Sequence, residues 1–309
     1  MPVDPRTGEI IRQRPQNQPT QSQPTNPVLI LACIICFFVV RCSVISYIGK
    51  KNNNDTTTPA TVQSGKSAGE RMVLKVKGVE YAFRWCPSGS FMMGSPESEK
   101  DRYDDETRHR VTLSRGFWIQ ETEVTQAQWE SVMGNNPSNF KGSRLPVEQV
   151  SWEDCQGYVS ELNSAVSSDY KFSLPTEAQW EYACRAGTTT PFSFGSVLNG
   201  DKANFDGNYP YGTDTKGKYL AKTTVVGSYA ANAWGIYDNV WEWCKDWYGA
   251  YPSGSVTDPT GATDGSFRVF RGGSWNFNAE HCRSANRFNY SPSFRFNYLG
   301  VRLVLFSEN

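Results

Sequence analysis

Residues 271–305 constrain this chain more than any other stretch, because their composition follows a rule that neither core packing nor catalysis would write. Two fixed-looking blocks, RGGSW at 271–275 and LGVRLVL at 299–305, enclose a segment dominated by Asn, Phe and Tyr. Asn276, Phe277, Asn278, Phe288, Asn289, Tyr290, Phe294, Phe296, Asn297 and Tyr298 fall there without the period of 2 or 3.6 that marks one buried face of a strand or helix. Asn and Tyr combine hydrogen bonding with rigid amphipathic contact area at low entropy cost, which is why binding loops favour them. The fold therefore has to fix the two blocks, and the segment between them reads as a displayed binding surface.

The 309 residues carry no net formal charge, 31 Lys and Arg standing against 31 Asp and Glu, so nothing draws the chain to nucleic acid. Ten Trp and 26 Gly, with few long apolar periodic runs, point to short elements joined by ordered loops. Only two histidines occur, His109 and His281, a scarcity that argues against a His-rich zinc centre or a Ser/His/Asp relay. Of the eight cysteines, Cys33, Cys36 and Cys42 lie in one apolar run. The other five, Cys86, Cys155, Cys184, Cys244 and Cys282, form no disulfide framework or CxxC metal site, and most of the cysteines read as buried thiols.

Residues 1–26 form a Pro/Gln-rich tail and residues 50–70 an Asn/Thr/Ser-rich linker. Neither has the apolar content to offset ordering entropy, so a disordered tail and a flexible tether are expected. Between them, residues 27–49 are almost wholly apolar apart from Arg41, and about 20 such residues cross the hydrocarbon core of a bilayer. The expectation is one transmembrane anchor. A cleaved signal peptide is the alternative, disfavoured by the long polar lead, and a lipoprotein cysteine at Cys42 is disfavoured by bulky Arg41 before it. Arg12 and Arg14 before the run nearly balance Lys50 and Lys51 after it, so the positive-inside rule does not orient the anchor. A binding face is most useful outside the cytoplasm, which makes an extracytoplasmic domain the expectation. Residues 71–309 are expected to form one globular domain.

Three helices are marked by their caps. Ser151 with Asp154 precedes a face of Trp152, Cys155, Tyr158, Val159 and Leu162. Thr176 with Gln179 forms a capping box before Trp180, Ala183 and Cys184, and Gly187 stands where that helix should stop. Thr125 caps a shorter helix through Trp129 that ends near Gly134. Strands are expected at 81–85, 110–113, 117–119, 267–270 and 299–305. The result is a loop-rich α+β domain.

Six blocks now fall in a specific order: GSFMMGS at 89–95, EVTQAQW at 123–129, LPTEAQWEYACRAG at 174–187, NVWEWCKDWYG at 239–249, RVFRGGSW at 268–275 and LGVRLVL at 299–305. Together they resemble the formylglycine-generating enzyme family, also called the sulfatase-modifying-factor family. The resemblance implies a C-type-lectin-like fold of the formylglycine-generating-enzyme type. It also implies an active site in which two cysteines five positions apart, shortly after the GGS of the last block, bind copper(I) and activate oxygen to oxidise a substrate cysteine. Here an ungapped count from Ser274 puts Phe277 and Cys282 at those places, and no other cysteine follows Arg271. One thiolate does not make the two-sulfur site that soft copper(I) requires. Copper is therefore not expected and no catalytic residue is assigned, although Trp241 and Ser274 match family active-site positions and would serve equally as framework residues.

The resemblance further implies calcium, and here the sequence departs from it. The family has three more residues, M-x-G, before Asn-Val-Trp-Glu-Trp, where part of a calcium site lies, whereas Asp238 runs straight into Asn239. Asp238 and Glu242 still offer oxygen ligands to a hard cation, and Asn204 matches the start of the family's other calcium loop. Calcium at Asn204, Asp238 and Glu242 stands against the alternative of solvated or hydrogen-bonded side chains. The acidic run Glu97, Glu99, Asp101, Asp104, Asp105 and Glu106 lacks ordered ligand spacing and reads as a solvated loop.

The tail carries a narrower resemblance, to the variable proteins of diversity-generating retroelements, whose frame has the form RGGSW, CRSANR, LGxRLxL; the middle element here is CRSANR at 282–287. In that family adenine-directed mutagenesis of AAC codons yields Asn, Tyr, Phe, His and Ser but not Lys, Glu, Gln, Met or Trp. Asn276, Phe277, Asn278, His281, Phe288, Asn289, Tyr290, Ser291, Ser293, Phe294, Phe296, Asn297 and Tyr298 obey that exclusion and are the candidate ligand contacts. The expectation is a membrane-anchored, inactive family member whose diversified face takes a protein or glycan ligand. A cysteine-modifying oxidase and a tethering domain without a variable face are the rival classes.

Overall fold

A computed structural model describes residues 65–166, 169–234 and 239–307. The expected anchor, the 1–26 tail, most of the linker and Asp238 lie outside the described residues. Within them, no helix is long and apolar enough to cross a membrane.

The strands are β1 (Arg71–Val76), β2 (Val79–Cys86), β3 (Gly89–Met93), β4 (His109–Leu113), β5 (Phe117–Gln120), β6 (Tyr170–Ser173), β7 (Trp241–Trp247), β8 (Val256–Thr257), β9 (Arg268–Arg271), β10 (Phe288–Tyr290), β11 (Leu299–Val301) and β12 (Val304–Ser307). The helices are α1 (Gln126–Met133), α2 (Trp152–Ala165) and α3 (Glu177–Arg185). Three sheets result, with strand orders β1-β2-β5-β12-β6, β10-β9-β7-β11 and β3-β4-β8. This is a β-rich, loop-rich α+β domain.

Each helix starts where the sequence places its cap. Thr125, Ser151 and Thr176 are N-caps with reciprocal capping boxes to Gln128, Asp154 and Gln179, each box satisfying two backbone donors that the first turn leaves open. Gly134 closes α1 in the left-handed region at φ 71°, whereas α3 turns left-handed one residue early, at Ala186, before Gly187. Cys155, Tyr158, Val159 and Leu162 are buried as their spacing requires. Tyr158 stacks on Trp129 at 4.7 Å and shares a 2.8 Å hydroxyl contact with Tyr81, which seats both helices on the large sheet. Cys86, Cys155, Cys184 and Cys244 are buried free thiols and Cys282 is partly buried.

The 299–305 block is not one strand. Its first part, β11, runs parallel to β7, and its last part, β12, pairs antiparallel with β5 and β6, so the chain changes sheets at Arg302 and Leu303. The change is fixed by Arg302, 1% exposed, whose Nε and Nη2 donate to Glu242 while Nη1 donates to the carbonyls of Gln120 and Glu121, both at 2.9 Å. Gly300 is required beside it, because a Cβ there would stand 2.4 Å from the Val147 carbonyl oxygen.

The acidic run divides: Glu97, Asp101 and Asp104 are exposed, as a solvated loop would have them, but two of its residues are not. Glu106 is fully buried and Glu99 is 9% exposed, and both accept from Arg283 at 2.7–2.8 Å. Arg283 needs counter-charges once it leaves water, and the run supplies them.

Removing one partner of such a pair leaves a buried charge uncompensated, at a cost of about 3–5 kcal/mol. Glu242→Ala should therefore lower the urea unfolding free energy by about that much, and Glu242→Leu combined with Arg302→Met should recover most of the loss. A Glu242→Ala protein within about 0.5 kcal/mol of the parent would show that the pair does not hold the sheet crossing.

Candidate functional site

The C-terminal segment folds over the four-stranded sheet as a continuous run of aromatic rings. At its inner end Trp241, on β7 and fully buried, meets Phe277 edge-on at 5.5 Å, Phe270 at 5.2 Å and Phe288 at 5.1 Å. Phe277 meets Tyr298 at 5.2 Å, and Tyr298 stacks on Phe296 at 4.9 Å. Phe296 contacts Tyr290 and Phe294, which touch each other at 4.4 Å. The run ends in solvent at Phe294, which is 44% exposed.

The candidate contacts accordingly divide. Ser293 and Phe294 are exposed; Asn276, Asn278, His281, Tyr290, Ser291, Phe296 and Asn297 are partly buried. Phe277, Phe288, Asn289 and Tyr298 are buried, at 6%, 2%, 2% and 3% exposure. For these four the expectation of display is corrected. Phe288 and Asn289 belong to β10, paired with β9, and rings as large as Phe277 and Tyr298 bury more apolar area than a surface loop would leave wet. Burial also pushes the Tyr298 hydroxyl well above the ordinary phenol range.

The loop that carries the outer rings is positioned by backbone contacts. The Pro292 carbonyl accepts from Trp152 N and the Phe296 carbonyl accepts from Gln149 N, both at 2.9 Å. Arg295 grips Asp154 through Nε and Nη2 at 2.6 and 2.8 Å, an exposed pair that hydrogen bonding strengthens. Trp275 closes the other side: its Nε1 donates to the Asn297 carbonyl at 3.1 Å, Phe140 meets it edge-on and Tyr219 lies over it. Phe140 and Tyr219 carry no signal in the sequence that would join them to this face, since loop contacts alone bring them there.

Phe277 and Cys282 stand where the sequence count puts the two copper ligands, and the geometry around them is apolar. The Phe277 ring fills the space beside Trp241. Cys282 packs under Gly273, where a Cβ would come within 2.5 Å of its Sγ, and Gly273 adopts φ 80°, so this glycine is required on two counts. Trp241 Nε1, Ser274 Oγ and Asn276 Oδ1 are buried with no hydrogen-bond partner among the described residues. Leaving such atoms unmet costs about 1–3 kcal/mol each, so they are the polar groups here with capacity left for a ligand.

Of the calcium candidates Asp238 lies outside the described residues, and Asn204 Oδ1 is buried with no hydrogen-bond partner among them. Glu242 accepts from Arg302 through both oxygens and from Trp180 Nε1 at 2.6 Å, so its charge is already met by a guanidinium. Asn204 donates to the Lys222 carbonyl and to Asn239 Oδ1. No group of three or more His, Cys, Asp or Glu able to hold a metal occurs among the described residues.

Four arginines not singled out by their sequence pattern hold the frame. Arg271 pairs with Glu177 and Glu181, Arg283 with Glu99 and Glu106, Arg287 with Glu177, and Arg302 with Glu242; all four arginines are at most 1% exposed. Their signal was available: each lies in a frame block, RGGSW, CRSANR or LGVRLVL, among apolar or small neighbours.

Residues 78–306 match the family model of the sulfatase-modifying factor enzyme 1-like domain, and the chain belongs to that family. It is 31% identical to the mouse formylglycine-generating enzyme over 206 residues, covering 63% of this chain and 52% of that protein, about half its length. To the Streptomyces coelicolor formylglycine-generating enzyme it is 28% identical over 280 residues, covering 70% of this chain and 86% of that protein. Among solved structures it resembles Treponema denticola variable protein 1, with a TM-score of 0.65 and 30% identity over 76% of this chain and 98% of that one. PvdO from Pseudomonas aeruginosa has the same fold, with a TM-score of 0.63 and 27% identity over 78% and 99% of the two chains.

The division of the rings gives a direct test. Phe288→Ala and Tyr298→Ala should each cost about 3–5 kcal/mol in chemical denaturation, whereas Phe294→Ala should stay within about 0.5 kcal/mol. Equal, small effects at all three positions would mean the whole run is surface.

Proposed function

We propose that this chain is a ligand-binding member of its family, not an oxidase, and that residues 271–305 form a diversified face for a protein or glycan ligand. The observation that carries the reading is the run of rings from buried Trp241 to exposed Phe294. Such a run offers a rigid aromatic platform whose outer members, Tyr290, Phe294 and Phe296, are free to vary without dismantling the frame. A partly exposed aromatic cluster of this kind marks an interaction site, and Asn276, Asn278, His281, Ser291, Ser293 and Asn297 supply adaptable hydrogen bonding around it. Phe277 at the first copper-ligand position supports the loss of oxidase chemistry, since a phenyl ring offers copper(I) no ligand atom and Cys282 is left single. The apolar residues 27–49 would tether the domain to a membrane, with the face outside the cytoplasm. Calcium has no role in this reading.

Diversification by adenine-directed mutagenesis fixes codons as well as residue types. In the gene, Asn276, Asn278, Asn289 and Asn297 should be AAC and Phe277, Phe288, Phe294 and Phe296 should be TTC, with a near-identical template repeat close by whose adenines mark the differing codons. Mixed AAT and TTT codons with no such repeat would remove diversification from the proposal and leave a fixed binding face.

Copper separates the rival class. The full chain supplied with copper(I) and a cysteine-containing sulfatase peptide should consume no oxygen and form no aldehyde. Turnover that disappears in Cys282→Ser would make the protein an oxidase.

A further inference from the structure

A cavity of about 520 Å³ opens at the end of β7 away from Trp241. Asp246, Glu177, His109 and Arg287 line it, together with the loop at 249–262, and no ring of the Trp241 to Phe294 run contributes to it. It is a separate site from the C-terminal face.

Its one guanidinium is spent. Arg287 gives Nε and Nη2 to Glu177 and Nη1 to the carbonyls of Gly249 and Asp105. Tyr251 donates its hydroxyl to Glu177 at 2.9 Å. A ligand carrying a phosphate or carboxylate would have to break these bonds to be held.

One of its carboxylates is not spent. Three carboxylates, Glu177, Asp246 and Asp258, line the cavity against the one guanidinium of Arg287. Glu177 is neutralised by Arg271 and Arg287, and Asp258 accepts from Ser114 N and Oγ. Asp246 is 3% exposed, accepts a 2.9 Å bond from Glu177 N at the start of α3, and forms no ion pair among the described residues. Glu177 faces it with like charge; Arg287 and Lys245 act against that charge, and Arg268, whose guanidinium lies 3.4 Å from the centre of the Trp247 ring, feels it in turn. Burial and Glu177 push the Asp246 carboxyl up to about 7. His109, 5% exposed, donates from Nδ1 to the Thr107 carbonyl at 3.0 Å, which leaves Nε2 an acceptor in the neutral ring.

A cavity whose guanidinium is spent and which holds one buried carboxylate without a cation fits a ligand that brings both charge and N–H groups. We propose that it binds a protonated primary amine, with Asp246 as the counter-ion and His109 as a second acceptor. The amine belongs either to a small free compound or to a lysine side chain of a partner protein, and the two sources share this chemistry.

The sign of the pH dependence follows. Below about pH 7 Asp246 holds its proton and offers no charge; above it the carboxylate forms while an alkyl amine stays protonated. Affinity should rise about tenfold between pH 6 and pH 8, with proton release on binding at the lower pH.

The test titrates the full chain with n-butylamine and with Nα-acetyl-lysine methylamide by calorimetry and tryptophan fluorescence, using 1-butanol and butyrate as neutral and anionic controls. Saturable binding of either amine, about tenfold or more weaker in Asp246→Asn and blocked by Thr260→Trp at the exposed rim, is the expected result. Binding of n-butylamine assigns a small amine, and binding of the lysine derivative alone assigns a partner side chain. Equal binding of 1-butanol or butyrate, an amine affinity that is flat from pH 6 to pH 8, or no amine binding while zinc or magnesium saturates the site would each overturn the proposal. Because the pH profile and the controls are read on the parent protein, a variant that fails to fold does not remove the test.

Discussion

Four guanidinium groups buried against carboxylates hold the C-terminal frame to the rest of the molecule. A charge left unpaired in the interior costs several kcal/mol, so Arg271, Arg283, Arg287 and Arg302 each demand their partner, and the partners lie far away in sequence. Arg283 reaches back 184 residues to Glu99 and 177 to Glu106, and Arg287 reaches 110 to Glu177. These pairs are poor sources of net stability when compared with apolar packing, but they fix register, because a shifted tail would strand its charges. The RGGSW, CRSANR and LGVRLVL blocks are thus clamps, and the segments between them are left with few ties of their own.

That division explains how one segment is both core and surface. Phe277 and Phe288 pack against Trp241, Phe288 also against Phe270, and Tyr298 against Phe277, so a change of ring volume there disturbs packing. Tyr290, Phe294 and Phe296 extend the same aromatic layer outward, where mainly Pro292, Arg295 and Phe296 fasten the loop through backbone contacts and one exposed ion pair. Volume-conserving exchanges suit the inner positions, and a wider range suits the outer ones.

Strand β7 serves both ends of the molecule. Trp241 at its start anchors the aromatic layer, Glu242 beside it receives Arg302, and Asp246 near its end lines the second cavity. Period 2 alternation is absent along the strand, because five of its seven residues are buried on both faces. A strand so enclosed carries no amphipathic signature, which is why its sequence suggests a motif more readily than a strand.

Local chemistry was legible in the residues alone. Capping boxes at Thr125, Ser151 and Thr176, the turn at Gly134, the buried face of α2 and the buried thiols all follow from interactions that close within a few residues or from the ordinary burial of cysteine. The six ordered blocks carried the family, and with it the lectin-like fold, although the residues themselves do not compute it. The tertiary structure alone decided where 299–305 breaks between two sheets, which acidic residues leave solvent to meet Arg283, and which rings of the tail are buried. The first two depend on partners more than a hundred residues away and the third on Trp241, outside the tail, and the energy that selects them, the cost of an unpaired charge or an unfilled volume, exists only once the distant segment has arrived.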